Sequence, residues 1–192
     1  KNYGFLMLLD HDTELTEEYF LALNSELDEE IAAFVPICVS GKKQISPFFY
    51  NAKIGNYFFS KPAKHCVTTN CISAFNTCAV LSVPALEKIG GFPQMFELDF
   101  IDNYIFYKLH SLGYKIKILN TKLQHNLSLL DYKTLKISRY EKIIDAECVF
   151  AKILGKKAKF ALSLWLLLRL FKQIILPEKR RFAKITLKRI FR

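Results

Sequence analysis

The chain has 192 residues, 51% of them hydrophobic and 24% charged, a balance that supports a buried core and excludes a disordered tail or a disulfide-held mini-protein. Its net charge of +10 suggests a polyanion partner until it is placed: residues 152–192 hold 13 Lys and Arg against one acid, Glu178, a balance of +12, and the remainder stands at −2. The body is therefore no nucleic-acid surface by composition, and the basic excess belongs to the tail.

Lys1 leads almost at once into Phe5-Leu6-Met7-Leu8-Leu9, with no initiator Met, leader or cleavage site ahead of it. That opening predicts the C-terminal part of a longer chain. Residues 3–9 read as a short strand buried on both faces, ending at Asp10. Leu15–Leu27 reads as a helix with Thr16 as N-cap, Glu17 and Glu18 in the first turn, and Tyr19, Phe20, Leu23 and Leu27 on one face. Ile31–Val39 predicts a second apolar strand, and Gly41-Lys42-Lys43 a turn. Residues 44–70, interrupted by Pro47, Gly55 and Pro62, predict a long, partly extended excursion.

Cys71–Ser82 predicts one further strand, and Ser82-Val83-Pro84 starts a helix that stops at Gly90-Gly91. Ile101, Ile105, Leu109 and Leu112 are spaced as a helix over 99–112, closed by Gly113. Tyr114–Leu119 alternates as a strand, and residues 133–154 form an amphipathic helix. Strands alternating with helices predict an α/β mixed sheet flanked by helices. The five cysteines, Cys38, Cys66, Cys71, Cys78 and Cys148, are odd in number and lack C-x-x-C spacing, which predicts reduced thiols in the cytosol. The intervals of His65, Cys66, Cys71 and Cys78 do not suit a zinc knuckle.

From residue 160 the character changes. Phe160–Leu176 is strongly apolar but holds Arg169 and Lys172, and its 17 residues fall short of the ~20 a spanning helix needs. Pro177 breaks it. Basic residues at 181, 184, 188 and 192 then alternate with Phe182, Ile185 and Ile190. Residues 160–192 thus predict amphipathic helices lying on an anionic membrane surface. Nucleic-acid binding is the weaker reading, because Trp165 and a run of leucines stand beside the cations.

Three constellations could carry chemistry. Asp10-His11-Asp12-Thr13 puts two carboxylates on a tight turn past a buried strand, where they can face a hard divalent cation, or where Asp12 or Thr13 can simply cap a helix. Asp99 and Asp102 open a helix whose dipole keeps a carboxylate anionic and available as a base, or both are plain capping acids. His125 follows a strand and suits either a structural role or a metal or phosphate site.

The segments FLMLLDHDTELTEEY (5–19), SAFNTCAVLSVPALEKIGGF (73–92) and FELDFIDNYIFYKLHSLGYKIKIL (96–119), followed by Gln124-His125, together resemble the catalytic half of a family 2 glycosyltransferase of the GT-A fold, in its rhamnosyltransferase-like bacterial branch. The resemblance covers about residues 3–126. It implies a GT-A-like sheet whose N-terminal nucleotide-binding units are missing, with residues 1–132 as the catalytic part and 133–192 as a helical, basic, membrane-associating region. It implies that Asp10 and Asp12 bind the donor's diphosphate and a divalent Mg²⁺ or Mn²⁺, with Asp12 the foremost metal ligand. Asp102 is implied as the catalytic base, counted back from Lys108, where Arg is usual. Asp99 matches a further donor-site acid, and His125 the histidine that completes the metal or diphosphate site. Asn76 stands where small residues are common. The implied activity is inverting sugar transfer from a nucleotide-sugar donor to a glycan or polyprenyl-linked acceptor in cell-surface polysaccharide synthesis. Its implied place is the cytoplasm, peripheral at the inner face of the membrane. A non-catalytic membrane-associated module with the same fold is the competing reading.

Overall fold

The computed structural model describes residues 4–10, 13–125 and 134–190, with Phe59 described by its backbone alone. His11 and Asp12, the start of the helix expected at 133, and the last cation at 192 lie outside them. The chain forms two compact units. The first comprises Lys1–Tyr50, Lys61–Glu97 and Ile101–Asn126, and the second Asn51–Ser60, Leu98–Phe100 and Leu127–Arg192. The second unit thus takes in part of the segment read at 44–70 and the three residues that contain Asp99.

The first unit is an α/β fold with a mixed sheet. Its strands are β1 (Phe5–Leu8), β2 (Ile31–Ser40), β3 (Lys43–Ser46), β6 (Cys66–Thr68), β8 (Ala79–Ser82) and β9 (Lys115–Gln124), between which come β4 (Phe48–Asn51), β5 (Gly55–Pro62) and β7 (Ile72–Ser73). The sheet order is β1-β8-β2-β9-β6, with β3 hairpinned onto β2. Only β2 and β9 run parallel; β1 with β8, β8 with β2 and β6 with β9 are antiparallel. The strand expected to be buried on both faces, β1, is instead an edge strand with Leu6 exposed and its neighbours half-buried. The fully buried centre is β2, in which every residue from Ile31 to Val39 is enclosed.

Pro36 lies in that centre without an N–H to give to a ladder. The β2/β9 register shifts between Val35 and Ile37, which pair with Ile118 and Lys122. The two stretches read at Tyr114–Leu119 and from Leu123 are therefore one bulged strand. Cys71–Ser82, read as one strand, is two: the carbonyl of Asn76 accepts the Ala79 N–H at 2.9 Å, and Cys78 takes a left-handed φ of 55°. A turn of this kind ends any ladder between Ser73 and Ala79.

Helices cover both faces of the sheet. On one side lies α1 (Glu17–Glu26), whose N-cap Thr16 accepts the Tyr19 N–H at 3.3 Å. Its Tyr19 and Leu23 pack on Phe34, Val80, Leu119 and Leu123. Phe20 and Leu27, expected on the same face, are exposed. On the other side α2 (Val83–Lys88), capped by Ser82, and α3 (Ile101–Ser111) bury Leu86, Ile105, Phe106 and Leu109 against Ala33, Val35, Ile37 and Ile118. The i, i+4 spacing of Ile105 and Leu109 gives α3 its buried stripe.

The second unit is helical apart from part of β5. It holds α4 (Ile137–Leu154), α5 (Lys156–Ile175), a 3-10 turn (Pro177–Phe182) and α6 (Ala183–Ile190). Its core gathers Tyr57, Tyr140, Ile144, Leu162, Leu166 and Phe182. A polar knot runs through it. Arg169 grips Glu147 with two hydrogen bonds of 2.8 and 2.9 Å. Gln173 donates to the Tyr140 hydroxyl at 2.9 Å, and that hydroxyl meets Thr186 at 2.6 Å. Trp165 packs edge-on to Phe58 with ring centroids 5.7 Å apart. Several tail cations are held internally: Arg189 by Asp145 and Glu141, and Arg181 by the Leu135 carbonyl and the Phe182 ring. Among the described residues no helix is long and apolar enough to cross a membrane.

Candidate functional site

In the first unit, β1, β2 and β9 end on the same edge of the sheet, and β8 begins there. Two sequence-predicted residues follow from that edge, and a third opens α3. Asp10 stands two residues past the last β1 pair, Leu8 with Ala79. His125 stands one residue past the last β9 pair, Gln124 with Val39, and its backbone N–H donates to the Val39 carbonyl at 3.0 Å. Asp102 lies in the first turn of α3, where the helix's N-terminal dipole favours a carboxylate. The carboxyl edge of strands is where α/β sheets place ligands, because loops there carry side chains that the sheet itself does not consume.

The segment 73–78 joins the three. Thr77, fully buried, hydrogen-bonds the Thr13 hydroxyl, and the Thr13 N–H donates to the Asp10 carbonyl at 3.2 Å. Ser73 donates to Asn103 Oδ1 at 2.9 Å, while the Asn103 backbone and side-chain N–H groups donate to Asp102 Oδ1 at 2.8 and 3.1 Å. The Phe75 ring lies 5.7 Å from the His125 ring, and its backbone N–H is fixed by the buried Ser46 hydroxyl at 2.9 Å. Ser73, Phe75, Thr77 and Asn103 are thus the residues that the sequence reading did not single out for the site. Their only signal was a polar Asn76-Thr77 break within an apolar run.

The electrostatics agree with the geometry. Burial pushes the Cys38 thiol up to about 12 and the Cys78 thiol to about 11, and in both the negative charge of Asp10 adds to the rise. Asp99 differs: it belongs to the second unit, where Arg139 donates to both of its oxygens at 2.5 and 2.7 Å. Burial pushes the Asp99 carboxyl up, and the guanidinium draws it the other way. Asp12 lies outside the described residues. Among those described, no three His, Cys, Asp or Glu side chains gather as a metal cluster. Asp10 and His125 supply one carboxylate and one imidazole at the same edge, of which the carboxylate is the donor type that Mg²⁺ or Mn²⁺ prefers.

A hollow of about 430 Å³ lies at the opposite end of the strands, lined by Phe5, Ala32, Ala85, Lys88 and Tyr114. It contains none of the predicted residues. Comparison with protein-family models, curated proteins and solved structures gives no match.

Proposed function

We propose that the chain is the catalytic part of an inverting glycosyltransferase that moves a sugar from a nucleotide-sugar donor to a glycan or polyprenyl-linked acceptor at the inner face of the cell membrane. One observation carries this reading: Asp10 and His125, far apart in sequence, follow strands that end on one sheet edge, and the segment 73–78 bonds or packs on Thr13 beside Asp10, on His125, and on Asn103 beside Asp102. Asp102 takes the proton from an acceptor hydroxyl as that oxygen attacks the anomeric carbon and the bond to the diphosphate breaks. Asn103 orients it by holding Oδ1 from two donors, and Ser73 orients Asn103. Thr13 and Thr77 set the turn that presents Asp10, and Phe75 limits the rotation of the His125 ring. Asp10 and His125, with Asp12, would hold a divalent Mg²⁺ or Mn²⁺, which when bound neutralises charge on the departing diphosphate.

The competing reading, a non-catalytic module with the same fold, draws on Asp99, whose two oxygens are both engaged by Arg139. Turnover of a nucleotide sugar separates the two. In the full-length protein Asp102→Asn is expected to abolish transfer while leaving donor affinity largely intact, and Asp12→Ala to weaken metal-dependent donor binding. Retained transfer in Asp102→Asn overturns the assignment of the base.

A further inference from the structure

Helix α5 is apolar on two opposite sides. One side, through Ala158, Ala161, Leu162 and Leu166, is buried in the second unit, and there Arg169 is held by Glu147. The other carries Phe160, Leu164, Leu167, Leu168, Phe171 and Ile174 at helical spacing, with Phe160 68%, Phe171 64% and Ile174 54% exposed. An apolar stripe of this length on a folded domain marks an interaction surface.

Its charge decides what it meets. Lys156 and Lys157 are exposed three to four residues before Phe160, on the same face, and exposed Lys172 flanks the stripe near its C-terminal end. Beyond the helix lie Lys179 and Arg180, and Glu178 is the only acid in residues 152–192. A second copy of α5 laid on this face, parallel or antiparallel, would set cations against cations, because both ends are basic. An anionic lipid surface satisfies both ends and the stripe together: the apolar side chains enter the headgroup–acyl boundary, and the lysines extend to the phosphates. The helix lies flat, because Arg169 and Gln173 on its other side are fixed in the protein core by Glu147 and Tyr140.

We propose that the outer face of α5 anchors the protein in the plane of an anionic lipid surface. The anchor is narrower than residues 160–192 as a whole. Trp165 lies against Phe58, and Arg181 and Arg189 are held by protein groups. The inference stands independently of the sugar-transfer reading.

Flotation of the full chain with phosphatidylcholine vesicles, with and without phosphatidylglycerol, tests it. Wild type is expected to float with the anionic vesicles, less so as salt rises, and to stay behind with the neutral ones. Leu167→Ser with Phe171→Ser is expected to lower the bound fraction roughly tenfold. Lys156→Glu with Lys157→Glu is expected to remove the preference for phosphatidylglycerol. All four positions are exposed, so the far-ultraviolet dichroism should match wild type, and Asp102→Asn should float normally. Wild-type flotation by the double serine variant overturns the proposal. So does a dimer in solution that the same serine substitutions dissociate, in a chain that ignores both vesicles.

Discussion

At the scale of single residues, burial and hydrogen bonding assign roles that residue type alone leaves open. Asn103 donates twice to Asp102 Oδ1 and accepts from Ser73. In the proposed sugar transfer this makes it a positioning residue, and Asn103→Ala should reduce turnover roughly tenfold with little change in donor KM, as the loss of a group that orients a reacting side chain does. Steady-state kinetics on the variant check this. The thiols have a different outcome. Cys38, Cys71 and Cys78 are buried, and burial raises all three above the ordinary thiol range, to about 12, 11 and 11. Since the thiolate is the reactive form, iodoacetamide at pH 8 should modify these three only on unfolding. Peptide mass spectrometry before and after adding denaturant reads the difference.

At the scale of elements, two ion-pair sets join neighbouring pieces of each unit. In the first, Glu26 at the end of α1 meets Lys117 of β9 at 2.5 Å and His65 at 2.9 Å. Burial pushes the Glu26 carboxyl up, but Lys117 and His65 outweigh it and hold the group below its ordinary value of 4.5. A lowered carboxylate pKa stabilises the fold above the unfolded value and loses that contribution as pH falls through the folded one. Denaturant unfolding at pH 7 and pH 3 should therefore show an acid loss that Glu26→Gln reduces by about 1 kcal/mol, a modest figure because the pair is partly solvated. In the second unit, Arg169 and Glu147 form a more enclosed pair, with Glu147 only 7% exposed. Arg169→Met should cost about 3–5 kcal/mol by leaving Glu147 unpaired, whereas Arg169→Met with Glu147→Leu should recover most of it. Thermal melts of the three chains make that comparison.

Much of this organisation was legible before any coordinates. The cap Thr16, the helix start at Ser82 and the Ile105–Leu109 part of the α3 stripe appear as read, because each depends on residues within a turn of one another, whereas Leu112, expected on that stripe, lies past the helix and is exposed. Asp10, Asp102 and His125 were legible because they end apolar runs or start a helix. The break in Cys71–Ser82 was not: Ala74 and Cys78 are apolar and buried although neither is in a strand, so hydrophobic pattern could not show the turn. The edge position of β1 depends on which strands pair, a property absent from its own four residues. The grip of Arg139 on Asp99, across 40 positions, and of Arg169 on Glu147, across 22, are tertiary events of the same kind.

At the scale of the whole molecule, the net charge of +10 resolves into two unlike parts. The slightly acidic body carries Asp10 at one sheet edge, and the basic tail pairs Arg169 and Arg189 with carboxylates of its own unit while leaving lysines exposed beside an apolar face. The central claim concerns the first: that the edge carrying Asp10 and His125 receives a metal-bound nucleoside diphosphate. Paramagnetic relaxation by Mn²⁺ with a nucleoside diphosphate, read on the backbone amides of the full chain, tests it without requiring turnover. Amides of Asp10, Thr13, Thr77 and His125 should broaden first, while those of Glu30, Ser82 and Tyr114 at the opposite strand ends stay sharp. Uniform broadening, or broadening centred on the opposite ends, would contradict the account.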